Sequence, residues 1–227
     1  QRGRKGRCMP RRAGGAMRDT SLNVASWDEI PAPDRSDLSE LKISEWEQSY
    51  SRFENDILYP KEEVVKFLNR FVIKRSGPGE FRRILHPQVP RLRGLDLGCG
   101  IGRQLILMHE FGIEGYGIDV SELALKRGEL LGRHFGVDLR GRLLRVERPE
   151  IPFDDAFFDL AVCDSVLDSM KFELARSYVR ELDRAVKGLL FVSLISDELG
   201  CNREEIVAGS HEHGTYQSYY SPSRISS

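Results

Sequence analysis

Cysteine is scarce in this chain: four residues in 227, at Cys8, Cys99, Cys163 and Cys201. None forms a C-x-x-C pair, and no histidine cluster completes a zinc pattern, so neither a disulfide framework nor a bound metal is expected. Cys99 and Cys163 sit in apolar, strand-like surroundings, which points to reduced thiols and a cytoplasmic setting. No run of eighteen apolar residues exists, which argues against a membrane-spanning helix. The first residues also lack the apolar core of a secretory signal.

A strong net charge is missing too, but the balance is uneven. Residues 1–20 hold seven Arg or Lys against Asp19 alone, leaving 27 bases and 34 acids in the remainder, near −7. That body makes a poor polyanion binder, so no nucleic-acid partner is expected. The basic start lacks stacking aromatics and reads as a disordered or added tail, with Met17 expected as the native start. Residues 18–42 are polar, with Pro31 and Pro33, and read as linker. The expected division is therefore a tail over 1–42 and one domain over 43–227.

From Ser44 the pattern turns helical. Trp46, Tyr50 and Phe53 recur at i, i+4 and i+7. Ser44 fits an N-cap, with Glu47 where a capping box places its acid. A second helical period runs over 61–72, just behind Pro60. SGPGE (76–80) reads as a turn and HPQVP (86–90) as a break.

Beyond these, apolar runs and helical patterns alternate. Strands are expected at RLRGLDLG, YGIDV (116–120), 139–147, 157–166 and 188–196. Helices are expected at RQLILMHEFG, at SELALKRGELLGRHFG with Ser121 as N-cap and Gly136 as stop, and over 171–186. Strict strand–helix alternation implies an α/β fold with a mostly parallel, doubly wound sheet. Nearly continuous apolar strands imply that both faces are covered. Ligands of such sheets bind beyond the carboxyl ends of the strands.

The stretch LDLGCGIGR, residues 95–103, lies at such an end. No Lys-Ser or Lys-Thr follows, so it is not a nucleoside-triphosphate loop. A dinucleotide loop needs glycine or alanine where Arg103 stands, which disfavours a pyrophosphate. Gly98, Gly100 and Gly102 give G-x-G-x-G, a backbone with few side chains to hold a ligand away.

LDLGCGIGR resembles motif I of the class I S-adenosylmethionine-dependent methyltransferases. The resemblance implies a Rossmann-like fold, S-adenosylmethionine as cofactor, and contacts from Asp96, Gly98, Cys99, Gly100 and Gly102. YGIDVS resembles the family's second strand, whose terminal acid grips the ribose hydroxyls; here that is Asp119, 23 residues after Asp96, followed by Val120. A carboxylate can accept from both hydroxyls of a diol. RVERPEIPFDDAFFDLAVCDSVL resembles the run that leads into the fourth strand. It places Glu147 toward the adenine amino group, and Asp164 and Ser165 beside the methionine part. The matching segments run from about residue 46 to 196.

The resemblance implies methyl transfer to a small-molecule acceptor. Asp168 and Tyr216 are the candidate catalytic residues; Trp46, Tyr50, Gln217 and Tyr219 are candidate acceptor contacts. The N-terminal helices resemble the cap of such enzymes. Ser169 stands where relatives often carry histidine; His211 and His213 are the other candidates, as base or as an H-x-H metal pair. No Asn-Pro-Pro-Tyr-type tetrapeptide follows the fourth strand, which argues against a nucleic-acid substrate. The family sheet usually ends in an antiparallel strand pair. Only 31 residues follow Ser196, with no clear strand, so that pair is expected to be truncated. Two alternatives stay open: an inactive methyltransferase-like binding or regulatory protein, and a dinucleotide or nucleotide-sugar enzyme.

Overall fold

The computed structural model describes residues 38–197, 203–207 and 214–226. The expected tail, Met17, Cys8, Cys201, His211 and His213 lie outside the described residues.

Five parallel strands form the central sheet: β3 (Arg93–Leu97), β4 (Glu114–Asp119), β5 (Leu143–Arg145), β6 (Phe158–Asp164) and β7 (Val186–Ser193). Their order is β5-β4-β3-β6-β7, so the chain reverses its direction of travel across the sheet between β3 and β6. Three helices connect these strands: α3 (Arg103–Glu110), α4 (Glu122–His134) and α5 (Phe172–Ala185). This is the expected doubly wound α/β fold.

The period-two geometry of a strand divides each apolar run between two faces. In β6, Leu160 and Val162 pack with Leu105 and Met108 of α3, while Ala161 and Cys163 pack with Ala175 and Leu182 of α5. Burial on both faces explains why these strands read as continuous apolar runs rather than alternating ones.

Several boundaries differ from expectation. Helix α1 spans Leu38–Ser51, starting upstream of residue 43. Ser44 is therefore inside a helix rather than capping one, and its Oγ accepts from the Gln48 side chain at 3.3 Å. Helix α2 (Glu62–Phe67) continues as a π turn over Leu68–Val72. An unanticipated hairpin follows, β1 (Ile73–Gly77) with β2 (Glu80–Arg83), around the expected turn at 76–80. The 139–147 strand shortens to β5, because Gly141 turns the chain at a φ of 71°.

The C-terminal segment also departs from expectation. Beyond β7, β8 (Glu204–Ile206) pairs antiparallel with β9 (Tyr216–Ser218), and a short helix α6 (Pro222–Ile225) follows. This pair is separate from the main sheet. It packs under the 3₁₀ turn Leu167–Ser169: Ser218 Oγ donates to the Met170 carbonyl at 2.7 Å and Tyr220 Oη to that of Leu167 at 3.0 Å.

Candidate functional site

The carboxyl ends of β3, β4 and β6 open into a cavity of about 470 Å³, roofed by α1 and the segment that follows it. That volume lies within the usual range of small-molecule sites. Gly98, Cys99, Gly100, Asp119, Val120, Glu147, Asp164 and Ser165 all line it, as do Trp46 and Tyr50.

The loop after β3 has little room for side chains. Gly98 and Gly100 adopt φ of 70° and 52°, a region that disfavours residues with a Cβ. A Cβ on Gly98 would lie 2.3 Å from Val166, and one on Gly100 would lie 2.4 Å from the Tyr50 hydroxyl. The loop is tied to the end of β4 by Gly98 N–H and Cys99 N–H, which donate to the Ile118 carbonyl at 2.7 and 3.0 Å. Gly102 lies outside the lining and forms the left-handed N-cap of α3.

Asp119 closes this junction. Its Oδ2 accepts from Gly100 N–H at 2.7 Å and its Oδ1 from Ser121 N–H at 2.9 Å. Burial pushes its pKa up, and the backbone donors partly oppose that shift. Two bonds leave spare lone pairs on a carboxylate, which has about four acceptor positions. Asp96 stays out of the lining: it is 2% exposed and its Oδ2 has no partner. Desolvation raises the Asp96 pKa well above the usual range, against the opposing pull of Arg103.

A charged cluster marks the end of β6. Asp164 meets Lys61 Nζ at 2.7 Å and Arg103 Nη2 at 3.4 Å, and accepts from Ser193 Oγ at 2.5 Å. Ser165 follows with φ of 57°, a strained value for a residue other than glycine, and its N–H donates to Ser193 Oγ at 2.8 Å. Glu147 is paired with Arg145 at 2.8 Å. The remaining wall is mostly apolar, with Ile43, Ile57, Val146, Val166, Met170 and Leu174.

Helix α1 is fastened over this floor by three contacts. Glu47 accepts from Glu122 N–H at 2.6 Å, Ser121 Oγ at 3.1 Å and Leu123 N–H at 3.3 Å, capping α4 from outside. Glu47 thus serves another helix rather than the capping box expected within its own. Ser121 also caps α4 as expected, its Oγ accepting from Ala124 N–H at 3.0 Å. Arg127 of α4 donates to the Tyr50 carbonyl at 2.6 Å and holds Asp56 at 2.9 Å. Tyr50 is 7% exposed and packs with Ile101 of the glycine loop and Ala124.

Besides Asp96 and Gly102, four more expected residues do not line the cavity: Asp168, Tyr216, Gln217 and Tyr219. Asp168 is 3% exposed, and its carboxylate accepts from Ile195 N–H at 3.0 Å. Tyr216 donates to Glu204, and Tyr219 to Glu205 at 2.7 Å, within the β8–β9 unit. Conversely, Lys61, Asn55, Ile57 and Tyr178 line the cavity without having been singled out. Lys61 stands at the foot of a helical period behind Pro60; nothing local distinguishes it from a solvated lysine. Among the described residues, no group of three or more His, Cys, Asp or Glu could hold a metal ion. No described helix is long and apolar enough to cross a membrane.

The family model described as "Methyltransferase domain" matches residues 95–190, which hold the glycine loop, Asp119, Glu147 and Asp164. A sterol 4-C-methyltransferase of Caenorhabditis elegans is 27% identical over 93 residues, covering 41% of this chain and 25% of that protein. The matched region is thus about a quarter of that relative's length. Among solved structures, the Burkholderia thailandensis 1,6-didemethyltoxoflavin-N1-methyltransferase with bound 1,6-didemethyltoxoflavin and S-adenosylhomocysteine superposes with a TM-score of 0.59. It is 14% identical, covering 87% of this chain and 78% of that one. An S-adenosylmethionine-dependent methyltransferase of Methanosarcina mazei gives 0.51 at 20% identity, covering 60% and 76%.

Proposed function

From a chain whose residues 95–190 match a methyltransferase domain, we propose a protein that binds S-adenosylmethionine in this cavity and transfers its methyl group to a small-molecule acceptor. One observation carries the reading. Asp119 ends β4 within hydrogen-bond reach of Gly100, beside a loop whose first two glycines are crowded by Val166 and Tyr50.

The residues fit the cofactor. Asp119 keeps lone pairs for a ribose diol after its two backbone bonds. Val120, Val146 and Ile118 offer a flat apolar edge for an adenine, with Glu147 at its rim. Gly98 and Gly100 keep their own side chains off the loop beside the aminoacyl end, and Arg103 offers charge to its carboxylate. The cofactor supplies an activated methyl on a sulfonium. The protein then has to align the acceptor and exclude water. Tyr50 and Trp46 on α1 cover the floor and serve the second task.

Isothermal calorimetry with S-adenosylmethionine, S-adenosylhomocysteine and NAD tests the reading. The first two are expected to bind and NAD not to. Asp119→Asn is expected to weaken binding of both by about 1–3 kcal/mol, the scale of charge-assisted hydrogen bonds. Binding of NAD alone, or an unchanged affinity in the variant, would remove the assignment.

A further inference from the structure

We infer that the methyl acceptor is a carboxylate, carried on an apolar body and drawn to Lys61. This rests on the methyltransferase reading above and names the substrate class of the same cavity.

Charge is the first argument. At the end of β6 two cations, Lys61 and Arg103, meet one carboxylate, Asp164, whose side chain is only 6% exposed. The cluster carries a surplus positive charge facing the cavity. Asp119 sits at a different strand end, held by Gly100 and Ser121, and Glu147 is already paired with Arg145. The bound cofactor adds a sulfonium, while its ammonium and carboxylate offset one another. A partly buried surplus of this kind favours an anion as the last occupant.

The walls supply the second argument. Ile57, Val166, Met170 and Leu174 line the same cavity as the cluster, with Trp46 on the roof. Apolar walls with a few placed polar groups select a ligand with a matching apolar body.

Proton chemistry supplies the third. Among the described residues that line the cavity there is no histidine. Of its acids, Asp164 and Glu147 are paired with cations and Asp119 is given to the ribose; Tyr178 donates to the Arg148 carbonyl at 3.2 Å, and burial pushes Tyr50 and Cys99 up, keeping both neutral. A neutral hydroxyl or an ammonium would need its proton removed. A carboxylate is already ionised near neutral pH and needs nothing removed: its lone pair forms the new C–O bond, the C–S bond breaks with its electron pair left on sulfur, and both charges disappear. The products are a thioether and a neutral ester.

The test is calorimetry on the full chain saturated with S-adenosylhomocysteine, with octanoate, octanamide and octylamine as matched probes. Saturation is itself measured first; if S-adenosylhomocysteine does not bind, the reading above fails and this inference with it. With the site loaded, octanoate is expected to bind at least about tenfold more tightly than octanamide, and octylamine least. Lys61→Met is expected to bring octanoate and octanamide within about twofold of one another, while Lys61→Arg keeps the preference. Equal binding of octanoate and octanamide by the loaded wild-type protein would overturn the inference and leave the cofactor assignment intact. A preference that survives Lys61→Met would remove Lys61 from it.

Discussion

Gly100 and Tyr50 are a matched pair, and the match can be measured. At a φ of 52°, with a Cβ that would fall 2.4 Å from the Tyr50 hydroxyl, Gly100→Ala is strained twice over. A loss of about 1–3 kcal/mol is expected from denaturant melts. In a Tyr50→Phe background the loss should shrink, because one of its two causes is gone; additive losses would show that the contact is unimportant. Asp96 makes the opposite prediction. Its buried Oδ2 lacks a partner and its pKa is raised, so the ionised form burdens the folded state. That burden is absent below the ordinary carboxylate pKa and grows as pH rises through it toward the higher folded value. Asp96→Asn should therefore melt above the wild type at pH 7–8, with the difference closing toward pH 4. A pH-independent difference would refute the ionisation argument. Gly98, Gly100 and Asp119 could be placed at the strand ends from the sequence, since strand ends and loops impose residue types locally; Asp96 and Gly102, expected beside them, lie outside the lining. Tertiary partners could not be read: nothing in the sequence says that a tyrosine fifty positions upstream would lie on Gly100.

Elements repeat that lesson at larger spacing. Helices α3, α4 and α5 and strands β3, β4 and β6 were legible because each buries its own periodic apolar face. Helix α1 was legible as a helix and illegible as a clasp. Its acid at Glu47 has the spacing of a local cap yet bonds to the start of α4, because a helix N-terminus accepts any well-placed carboxylate. Asp168 and Tyr216 fell on the other side of the same limit. Position beside a strand end suggested chemistry, whereas tertiary contacts turned both toward the β8–β9 unit and the chain that leads to it. Removing the clasp should loosen one element selectively. Glu47→Ala is expected to speed amide hydrogen exchange in α1 and cost about 1–2 kcal/mol, with β3 and β6 still protected. Uniform loss of protection would mean that α1 is integral to the fold.

At the scale of the whole molecule, the strand order puts the chain reversal between β3 and β6, which places the glycine loop and Asp164 on opposite sides of one crevice. Strand–helix alternation implied a doubly wound sheet, but not which two strands flank the reversal. Nor did it imply the fate of the last segment, because three-residue strands such as β8 and β9 carry too few side chains to show a period. Among the described residues, β7 of the main sheet is paired only with β6, and its Leu190 is 41% exposed. A strand edge with exposed apolar groups invites pairing between molecules. Leu190→Lys is expected to raise the protein concentration at which heated samples turn turbid, with unchanged near-ultraviolet circular dichroism. Identical turbidity curves would show that the edge is not the sticking surface.

Ser121 donates its N–H to Asp119 and its hydroxyl to Glu47, so one residue is held by the floor of the cavity and by its roof. Thermodynamic linkage makes that sharing reciprocal. Whatever free energy a diol at Asp119 adds to the docking of α1, docked α1 must add to the retention of the diol. A mutation that lifts the roof would then be felt first as a faster escape of ligand, in a protein whose binding groups are all still in place.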